Sequence, residues 1–452
     1  VMEYRVSVDT GGTFTDVVVT DSDGNFTVGK ALTDKKRAFN SINSGLAVAA
    51  EELQTTTEKL LSKTSVFIYG TTRATNGIVE RKTAKTAFLT TSGFPDILLL
   101  KEGGKTEPHN LSIPYPEPYI PRQLTFEIPE RVNAEGGIEQ ELDTAYTKKL
   151  VEELTRSGVE AIAVCFLWSV ANPLHELKVE EIIRSVNADL PITLSHRLNP
   201  IVREYRRASS AAIDASLKPL MQSYLLTLQS DLAEAGYQND VLVSTSYGGV
   251  MHLTDIVEKP IFLVKSGPAM APIAGKAYVS AENLDDNIIV CDAGGTTFDV
   301  SLVRDGTIEF SRDTWLGPRW MGDNLGMASV AVHSIGAGGG SIAWVDSGGL
   351  LRVGPQSAGS EPGPACYGLG GTNPTVTDAA VMLGYIDPAH FLGGRMNLNQ
   401  KAAHDAIAKL GENIGQSVDK TAFAIMAVAN ENMIEAIKEL TINEGINPAE
   451  ST

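Results

Sequence analysis

The chain has 452 residues, of which 43% are hydrophobic and 20% charged, and its formal net charge at pH 7 is −18. One hydrophobic core rarely supports this length, so we expect two or three folded domains. The acidic balance, with no Lys- or Arg-dense stretch, argues against nucleic acid and membranes as partners, although backbone N–H groups and a divalent metal would still allow phosphate binding.

The cysteines and the apolar runs indicate where the protein works. Cys165, Cys291 and Cys366 are far apart and form no C-x-x-C pair, so neither a disulfide framework nor a zinc ribbon is predicted, and a reducing cytoplasm fits best. The N-terminus, VMEYRVSVDT, lacks a signal-peptide pattern. The most apolar run, residues 161–171, is too short to cross a bilayer and predicts a buried strand.

The first part of the chain alternates strand and helix patterns, which is typical of an α/β fold. The pattern predicts strands at Tyr4–Val8, Asp16–Thr20, Phe26–Ala31, Ser65–Tyr69 and Thr86–Thr90, and an amphipathic helix over residues 35–53. Residues 101–122 are rich in Pro and Gly and predict an ordered surface loop.

The middle of the chain is more helical. Helices are predicted over residues 144–156 and 175–186, with a buried strand, AIAVCFLW, between them. A long helix is predicted over residues 203–235, with a kink or break at Pro219, followed by a strand over 241–245 and a helix entered through Gly267 and Pro268.

One short element occurs twice, as VDTGGTFTDVVV at residues 8–19 and CDAGGTTFDVSLV at residues 291–303. In each copy an apolar strand precedes the glycines and a Val-rich strand follows them, which predicts a β-hairpin with a tight turn. The shared pattern D-x-G-G-T-x-x-D comprises Asp9, Gly11, Gly12, Thr13 and Asp16 in the first copy, and Asp292, Gly294, Gly295, Thr296 and Asp299 in the second.

These residue types suit a nucleotide phosphate site. Glycine allows the backbone to approach phosphate oxygens closely, its N–H groups donate hydrogen bonds, and nearby carboxylates hold Mg²⁺. One Gly-Gly turn is as well explained by an ordinary hairpin, but the duplication favours a phosphate clamp made of two facing turns. A Walker A loop is absent, since Leu99 stands where the first glycine before Gly104 and Lys105 is needed, and no dinucleotide fingerprint is present.

Three further stretches carry candidate site residues, each with a purely structural alternative. The loop GAGGGS at residues 336–341 favours a second N–H cradle over a flexible turn, with Gly338 and Gly339 at its centre. His333 is the best-placed histidine for a metal or for acid/base work, although a structural histidine is the more common case. Thr71, Thr72 and Asn76 follow a strand and are equally consistent with a substrate site and with structure alone.

The paired hairpins resemble the two phosphate elements of the actin, hexokinase and heat-shock chaperone ATPase superfamily. Over essentially its whole length the chain resembles the hydantoinase A, 5-oxoprolinase and acetone carboxylase family. Besides the hairpins, this resemblance rests on GTTRATNGIVERK, LSHRLNPIVREYRRAS, STSYGGVM, SGPA, HSIGAGGGSIAWVDSGG and VGPQSAGSEPGPACYGLGGTNPTVTDA.

The resemblance implies an α/β fold of two RNase H-like domains with a nucleotide cleft between them. We expect the first domain at residues 1–190, bridging helices at 191–280 and the second domain at 281–452, with the C-terminal part of that domain missing, because relatives continue into a glycine-rich adenosine motif. ATP and Mg²⁺ (or Mn²⁺) are the expected cofactors, with Asp9 and Asp292 organising the metal and a further divalent metal at His333. The expected phosphate-binding residues are Gly11, Gly12, Thr13, Gly294, Gly295, Thr296, Thr297, Gly338 and Gly339.

The resemblance also implies an ATP-dependent enzyme subunit that activates a small carbonyl compound by phosphoryl transfer. The reaction would either open a cyclic amide (a hydantoin, 5-oxoproline or a lactam) or carboxylate a ketone, in a hetero-oligomer with a hydantoinase B-like second subunit. A regulatory or chaperone-like ATPase of the same fold and a small-molecule kinase are the alternatives.

Overall fold

The computed structural model describes residues 3–34 and 36–452. The strands are β1 (Tyr4–Thr10), β2 (Phe14–Thr20), β3 (Phe26–Leu32), β4 (Thr64–Thr71), β5 (Thr86–Thr91), β6 (Thr125–Ile128), β7 (Arg131–Val132), β8 (Ile138–Gln140), β9 (Ala161–Cys165), β10 (Ile192–Leu194), β11 (Val241–Ser244), β12 (Val250–His252), β13 (Ile288–Ala293), β14 (Phe298–Arg304), β15 (Thr307–Ile308), β16 (Phe310–Ser311), β17 (Trp315–Leu316), β18 (Asp323–Asn324), β19 (Ser329–Val330), β20 (Val332–Ile335), β21 (Ser341–Val345) and β22 (Leu351–Ser357). The α-helices are α1 (Ala38–Glu52), α2 (Thr57–Ser62), α3 (Arg73–Val79), α4 (Ile97–Leu100), α5 (Thr144–Arg156), α6 (Leu174–Val186), α7 (Ser195–Leu198), α8 (Glu204–Glu234), α9 (Leu253–Glu258), α10 (Ser266–Ala269), α11 (Ala271–Ala281), α12 (Val376–Met382), α13 (Gln400–Ile414) and α14 (Val418–Asn443).

The first sheet has six strands in the order β12-β11-β4-β1-β2-β3. β1 pairs antiparallel with β2 and parallel with β4, and β11 runs parallel to β4. Inward-facing residues alternate along β1, where Tyr4, Val6 and Val8 are buried, because one face of the strand packs on the core. The carboxyl ends of β1, β4 and β11 consequently meet at one edge of the sheet.

A second sheet lies between the two halves of the first in sequence. It has four parallel strands in the order β10-β9-β5-β6. Every residue of β9 is buried, as expected for a parallel strand covered by helices on both faces. The strands β11 and β12, which lie in the expected bridging segment at 191–280, complete the first sheet.

The second hairpin begins a smaller sheet. β14 pairs antiparallel with β13, β15 and β20, and α14 packs against β14 and β20. The pairing of β13, β14 and β20 repeats the pairing of β1, β2 and β3, so the duplicated motif lies at the same place in two related sheets.

Helix α8 packs between the first and second sheets, with Ile213 and Leu217 in the core of the first and Ala208 and Ala212 packed against the second. It continues for 31 residues through Pro219, so the predicted break does not occur, and burial of its first half against β9 accounts for its persistence. The predicted helix over 35–53 begins at Ala38, and the expected start at Lys35 lies outside the described residues. The predicted loop at 101–122 is confirmed between α4 and Pro121.

Among the helices of residues 3–34 and 36–452, none combines the length and the hydropathy that a membrane span requires.

Candidate functional site

The first glycine turn is closed by its own backbone. The Gly11 N–H donates to the Phe14 carbonyl at 2.9 Å, while Asp9 and Asp16 face each other across the hairpin. The Lys30 ammonium forms an ion pair with the Asp16 carboxylate, with Lys30 Nζ 2.8 Å from Asp16 Oδ1. This pair holds β2 against β3. The Asp9 carboxylate lies near the carboxyl end of β1, at the edge of the sheet where the parallel strands end.

The second turn repeats this geometry. The Gly294 N–H donates to the Thr297 carbonyl at 2.9 Å, and Asp292 pairs with Asp299 across the hairpin. The Thr297 hydroxyl donates to the Asp299 carboxylate at 3.2 Å. Asp292, the counterpart of Asp9, is exposed at the end of β13.

The two hairpins meet tip to tip. A Cβ atom added to Gly295 would lie 3.3 Å from the Thr13 hydroxyl oxygen and 3.8 Å from the Thr13 Cβ. Partial burial raises the pKa of Asp9, and the neighbouring charges of Asp16 and Asp292 raise it further. Asp9 and Asp292 therefore lie close enough to repel each other, which is an arrangement that a divalent cation would stabilise.

The backbone of each turn leaves donors for a ligand. Because the first glycine N–H closes the turn, the N–H groups that follow it are the ones available. Within the described ranges, no backbone acceptor is recorded for the N–H groups of Gly12, Thr13, Gly295 and Thr296. These are the groups best placed to hold phosphate oxygens between the two tips.

A cavity of about 380 Å³ lies against the first tip and reaches the second. Thr71, Thr72 and Asn76 line it, so the structure brings all three beside the first hairpin. The Asn76 side-chain amide donates to the Thr72 hydroxyl at 3.2 Å. The hairpin residues in its wall are Thr10, Gly11, Gly12, Thr13 and Thr296.

A buried hydroxyl with no hydrogen-bond partner among the described residues lies near the Asp9 carboxylate. The Ser244 hydroxyl, at the carboxyl end of β11, is buried and has no hydrogen-bond partner among the described residues. A Cβ added to Gly70 would lie 3.1 Å from this hydroxyl oxygen and 3.3 Å from Asp9 Oδ1, so the two polar groups flank Gly70. An unsatisfied buried hydroxyl beside a carboxylate is typical of a site that binds an ion, water or phosphate.

The loop at residues 336–341 differs from its prediction. The N–H of Gly339 donates to Gly294 O at 3.0 Å, that of Gly340 to Gly295 O at 2.7 Å, and that of Gly338 to Ser341 Oγ at 2.9 Å. These donors are already used, so the loop is a brace for the second hairpin rather than an N–H cradle for phosphate.

His333 does not form a metal site with other described residues. It lies on β20, and its Nε2 is 3.7 Å from a carboxylate oxygen of Glu439. No group of three or more His, Cys, Asp or Glu side chains with metal-binding geometry is found in the described ranges. The expected further divalent metal therefore has no support in the structure.

Several residues of the cleft were not singled out by the sequence analysis. Arg73, Leu220 and Tyr224 line the cavity together with Gly359 and Ser360. They come from α3, α8 and the loop after β22, and only the folded chain brings them together. For Arg73, Gly359 and Ser360 the available hint was the pair of conspicuous stretches that contain them, GTTRATNGIVERK and VGPQSAGSEPGPACYG, whereas Leu220 and Tyr224 had none.

Family models match nearly all of the chain. The model described as Hydantoinase/oxoprolinase matches residues 207–452, and the model described as Hydantoinase/oxoprolinase N-terminal region matches residues 5–187.

Curated relatives and a solved structure agree with these matches. The chain is 36% identical to caprolactamase subunit alpha of Pseudomonas jessenii over 99% of its length and 64% of the relative. It is 35% identical to the acetophenone carboxylase gamma subunit of Aromatoleum aromaticum, over 98% of this chain and 62% of that subunit. The crystal structure of the ATP-dependent caprolactamase from P. jessenii superposes with a TM-score of 0.80 at 35% identity, covering 98% of this chain and 64% of that one. The predicted mixed α/β fold is thereby confirmed, and the chain spans less than two thirds of the length of these relatives.

Proposed function

Because this chain belongs to the hydantoinase/oxoprolinase family, we propose that it is an ATP-dependent enzyme subunit that activates a small carbonyl compound by phosphoryl transfer. The reaction either opens a cyclic amide or carboxylates a ketone. The observation that carries this proposal is the meeting of the two duplicated hairpins, tip to tip, with Asp9 and Asp292 on either side of the gap.

The residues of the gap suit a metal-bound triphosphate. We assign Asp9 and Asp292 to Mg²⁺, directly or through water, since the charge of Asp292 helps to raise the pKa of Asp9 and a divalent cation between the two carboxylates would relieve this repulsion. The bound metal would neutralise charge on the phosphates. Phosphate oxygens are assigned to the two turns, formed by Gly11, Gly12, Thr13, Gly294, Gly295, Thr296 and Thr297.

The chain's own contribution to catalysis is positioning. The turns would fix the terminal phosphoryl group, and the carbonyl substrate would lie beside it in the cavity lined by Thr71, Thr72 and Asn76. Their hydroxyl and amide groups supply neutral donors for a carbonyl oxygen. No protein nucleophile is assigned.

A second subunit is part of the proposal. The relatives named above are an alpha and a gamma subunit, which indicates multi-subunit complexes for those proteins. We propose a hydantoinase B-like partner for this chain. The cytoplasmic location of the chain stays a prediction.

The experiment is a comparison of the parent with Asp292→Ala and Asp189→Ala. Asp292 is exposed, so its removal should leave the fold intact while lowering Mg²⁺-dependent ATP affinity by at least about tenfold in calorimetry. Asp189, an exposed carboxylate between α6 and β10 and away from both hairpins, is the matched control. Unchanged Mg²⁺-ATP affinity in Asp292→Ala would refute the assignment.

Phosphate release that depends on a lactam, or on a ketone with bicarbonate, would support the enzymatic proposal. Substrate-independent turnover stimulated by a protein would instead favour a regulatory ATPase.

A further inference from the structure

We propose that Lys265 is a positioning residue of the phosphate site, and that its ammonium group compensates the charge of Asp299 at the base of the second hairpin. Lys265 acts on the bound triphosphate through this aspartate rather than by contacting the phosphates. The inference rests on the proposed function, because it adds a residue to the same site.

The two hairpins differ in how their second aspartate is compensated. In the first hairpin, Asp16 lies opposite Lys30 of the next strand, β3, and the two form an ion pair at 2.8 Å. In the second hairpin the next strand is β20, and it places Ser334 opposite Asp299. The second copy therefore has the aspartate but not the cation on its neighbouring strand.

Asp299 needs a compensating charge because it is buried. Only 7% of its surface is exposed, the Thr297 hydroxyl donates to its Oδ2 at 3.2 Å, and its Oδ1 has no hydrogen-bond partner among the described residues. A buried carboxylate with an unsatisfied oxygen is unfavourable unless a cation lies nearby. Since β20 offers a hydroxyl at this position, we expect the cation to come from another part of the chain.

Lys265 brings a cation from the side of the first sheet. It lies immediately before α10, which packs against β4, and its backbone N–H donates to the Thr75 hydroxyl on α3 at 3.0 Å. Its ammonium donates to the Trp315 carbonyl on β17 at 3.2 Å. The side chain therefore reaches from the first sheet to the segment that follows the second hairpin.

The charges of Lys265 and Asp299 act on each other. Burial lowers the pKa of the Lys265 ammonium, and the charge of Asp299 opposes this shift. Burial raises the pKa of the Asp299 carboxyl, and the charge of Asp292 raises it further, whereas the hydroxyls of Ser334 and Thr297 and the charge of Lys265 lower it. Lys265 thus has the electrostatic effect on Asp299 that the missing lysine of β20 would have.

The backbone holds Lys265 in a conformation that a lysine seldom adopts. Its φ is +60°, in the left-handed region that favours glycine. The next residue, Ser266, is buried, and its hydroxyl has no hydrogen-bond partner within the described part of the chain. Backbone strain of this kind persists where the surrounding structure holds a side chain in a functional position.

Compensation of Asp299 matters because this residue adjoins the metal site. It lies opposite Asp292 in the hairpin, and we assign Asp292 to Mg²⁺. An uncompensated carboxylate at this place would repel the triphosphate, whose negative charge exceeds the positive charge of one metal ion. With Lys265 present, the phosphates meet the metal and the N–H groups of the turns without this additional repulsion.

The test is calorimetric titration of the full chain with a non-hydrolysable ATP analogue in the presence of Mg²⁺. Lys265→Met removes the cation and keeps the length of the side chain, so the affinity should fall by at least about tenfold. Asp299→Asn keeps an acceptor for Thr297 and removes the negative charge, so the affinity should stay within about threefold of the parent. The double variant removes both charges and should regain affinity to within about threefold of the parent.

This recovery separates charge compensation from a structural role. If Lys265 served only to bind the Trp315 carbonyl or to fill space, Asp299→Asn could not restore the affinity that Lys265→Met loses. Lys265→Gln, which keeps a donor for that carbonyl without the charge, should show the same loss and the same recovery. Lys276→Met is the matched control, since Lys276 is exposed on the neighbouring helix α11, and it should leave the affinity unchanged.

Thermal unfolding without nucleotide verifies that each variant is folded. Parent-like affinity in both Lys265→Met and Lys265→Gln would overturn the inference, and so would a double variant that binds the analogue as weakly as Lys265→Met. Failure of the parent to bind the analogue would instead count against the proposed function.

Discussion

The substitution Gly338→Ala tests whether the glycine loop at residues 336–341 supports the second hairpin. A Cβ at this position would lie 2.7 Å from Gly294 O and 2.8 Å from both Gly295 C and Thr296 N. Favourable contacts between carbon and other heavy atoms begin at about 3.5 Å, so the new methyl group would overlap three backbone atoms of the hairpin by roughly 0.7 Å. The clash cannot be relieved by rotating a side chain, because all three atoms belong to the backbone.

The expected cost is about 1 to 3 kcal/mol in the free energy of unfolding, as for an overpacked site. The hairpin tip would also shift relative to Thr13, and a misplacement of this kind would lower ATP turnover by up to about 100-fold. Thermal unfolding measures the first effect, and phosphate release with calorimetric ATP binding measures the second. Gly249→Ala is the matched control, since a Cβ there would meet nothing within 4 Å. Parent-like stability together with parent-like ATP affinity in Gly338→Ala would refute the bracing role.

Two further predictions concern the cleft. The raised pKa of Asp9 means that this carboxyl group holds its proton more tightly in the folded chain than in the unfolded chain. The stability that this group contributes is therefore lost as the pH rises from about 3.8 through the raised pKa. The affinity for Mg²⁺ should increase over the same pH interval, because the carboxylate becomes charged. Asp9→Asn should therefore unfold at no lower a temperature than the parent at neutral pH yet lose Mg²⁺-ATP binding, and a clear drop in unfolding temperature with intact binding would contradict this. Phe391 and Phe14 form an edge-on aromatic contact with ring centroids 6.1 Å apart, joining a loop of the second part of the chain to the first hairpin. Phe391→Ala should weaken ATP binding by about 3- to 10-fold, which corresponds to the usual energy of an aromatic pair. Tyr385 is 71% exposed, so Tyr385→Ala is the control and should leave ATP binding unchanged. Equal effects of the two substitutions would exclude a specific contact.

The sequence predicted the duplicated hairpins well, because a hairpin of this kind depends on a local pattern. An alternating apolar strand, a Gly-Gly turn and a Val-rich return strand determine a hairpin within about twelve residues. The approach of Thr13 to Gly295 followed from the hypothesis that the two turns act on one ligand, and the structure confirms that they are adjacent.

What the sequence did not predict depends on contacts between distant segments. The strand β11 joins the first sheet across more than a hundred intervening residues, and no local pattern indicates which sheet a short apolar run will join. The glycines of the 336–341 loop suggested free N–H groups, but their hydrogen-bond partners are carbonyls of the hairpin, which only tertiary packing supplies. Arg73 was hidden for the same reason, since Tyr224 comes from a helix far along the chain.

The most direct test of the central claim is a cross-link between the two turns. The Cβ of Thr13 and a Cβ added to Gly295 would be 3.8 Å apart, which is about the mean separation in natural disulfides. The variant combines Thr13→Cys and Gly295→Cys with Cys291→Ser, which removes the exposed native thiol. It should form a disulfide on mild oxidation. Mg²⁺-ATP should slow the formation of this bond by occupying the gap between the turns. Peptide mass spectrometry identifies the bond, with each single cysteine variant as control. If both single thiols react with a thiol reagent and yet the double variant forms no bond, the two turns do not face each other and the account of a shared phosphate site is wrong.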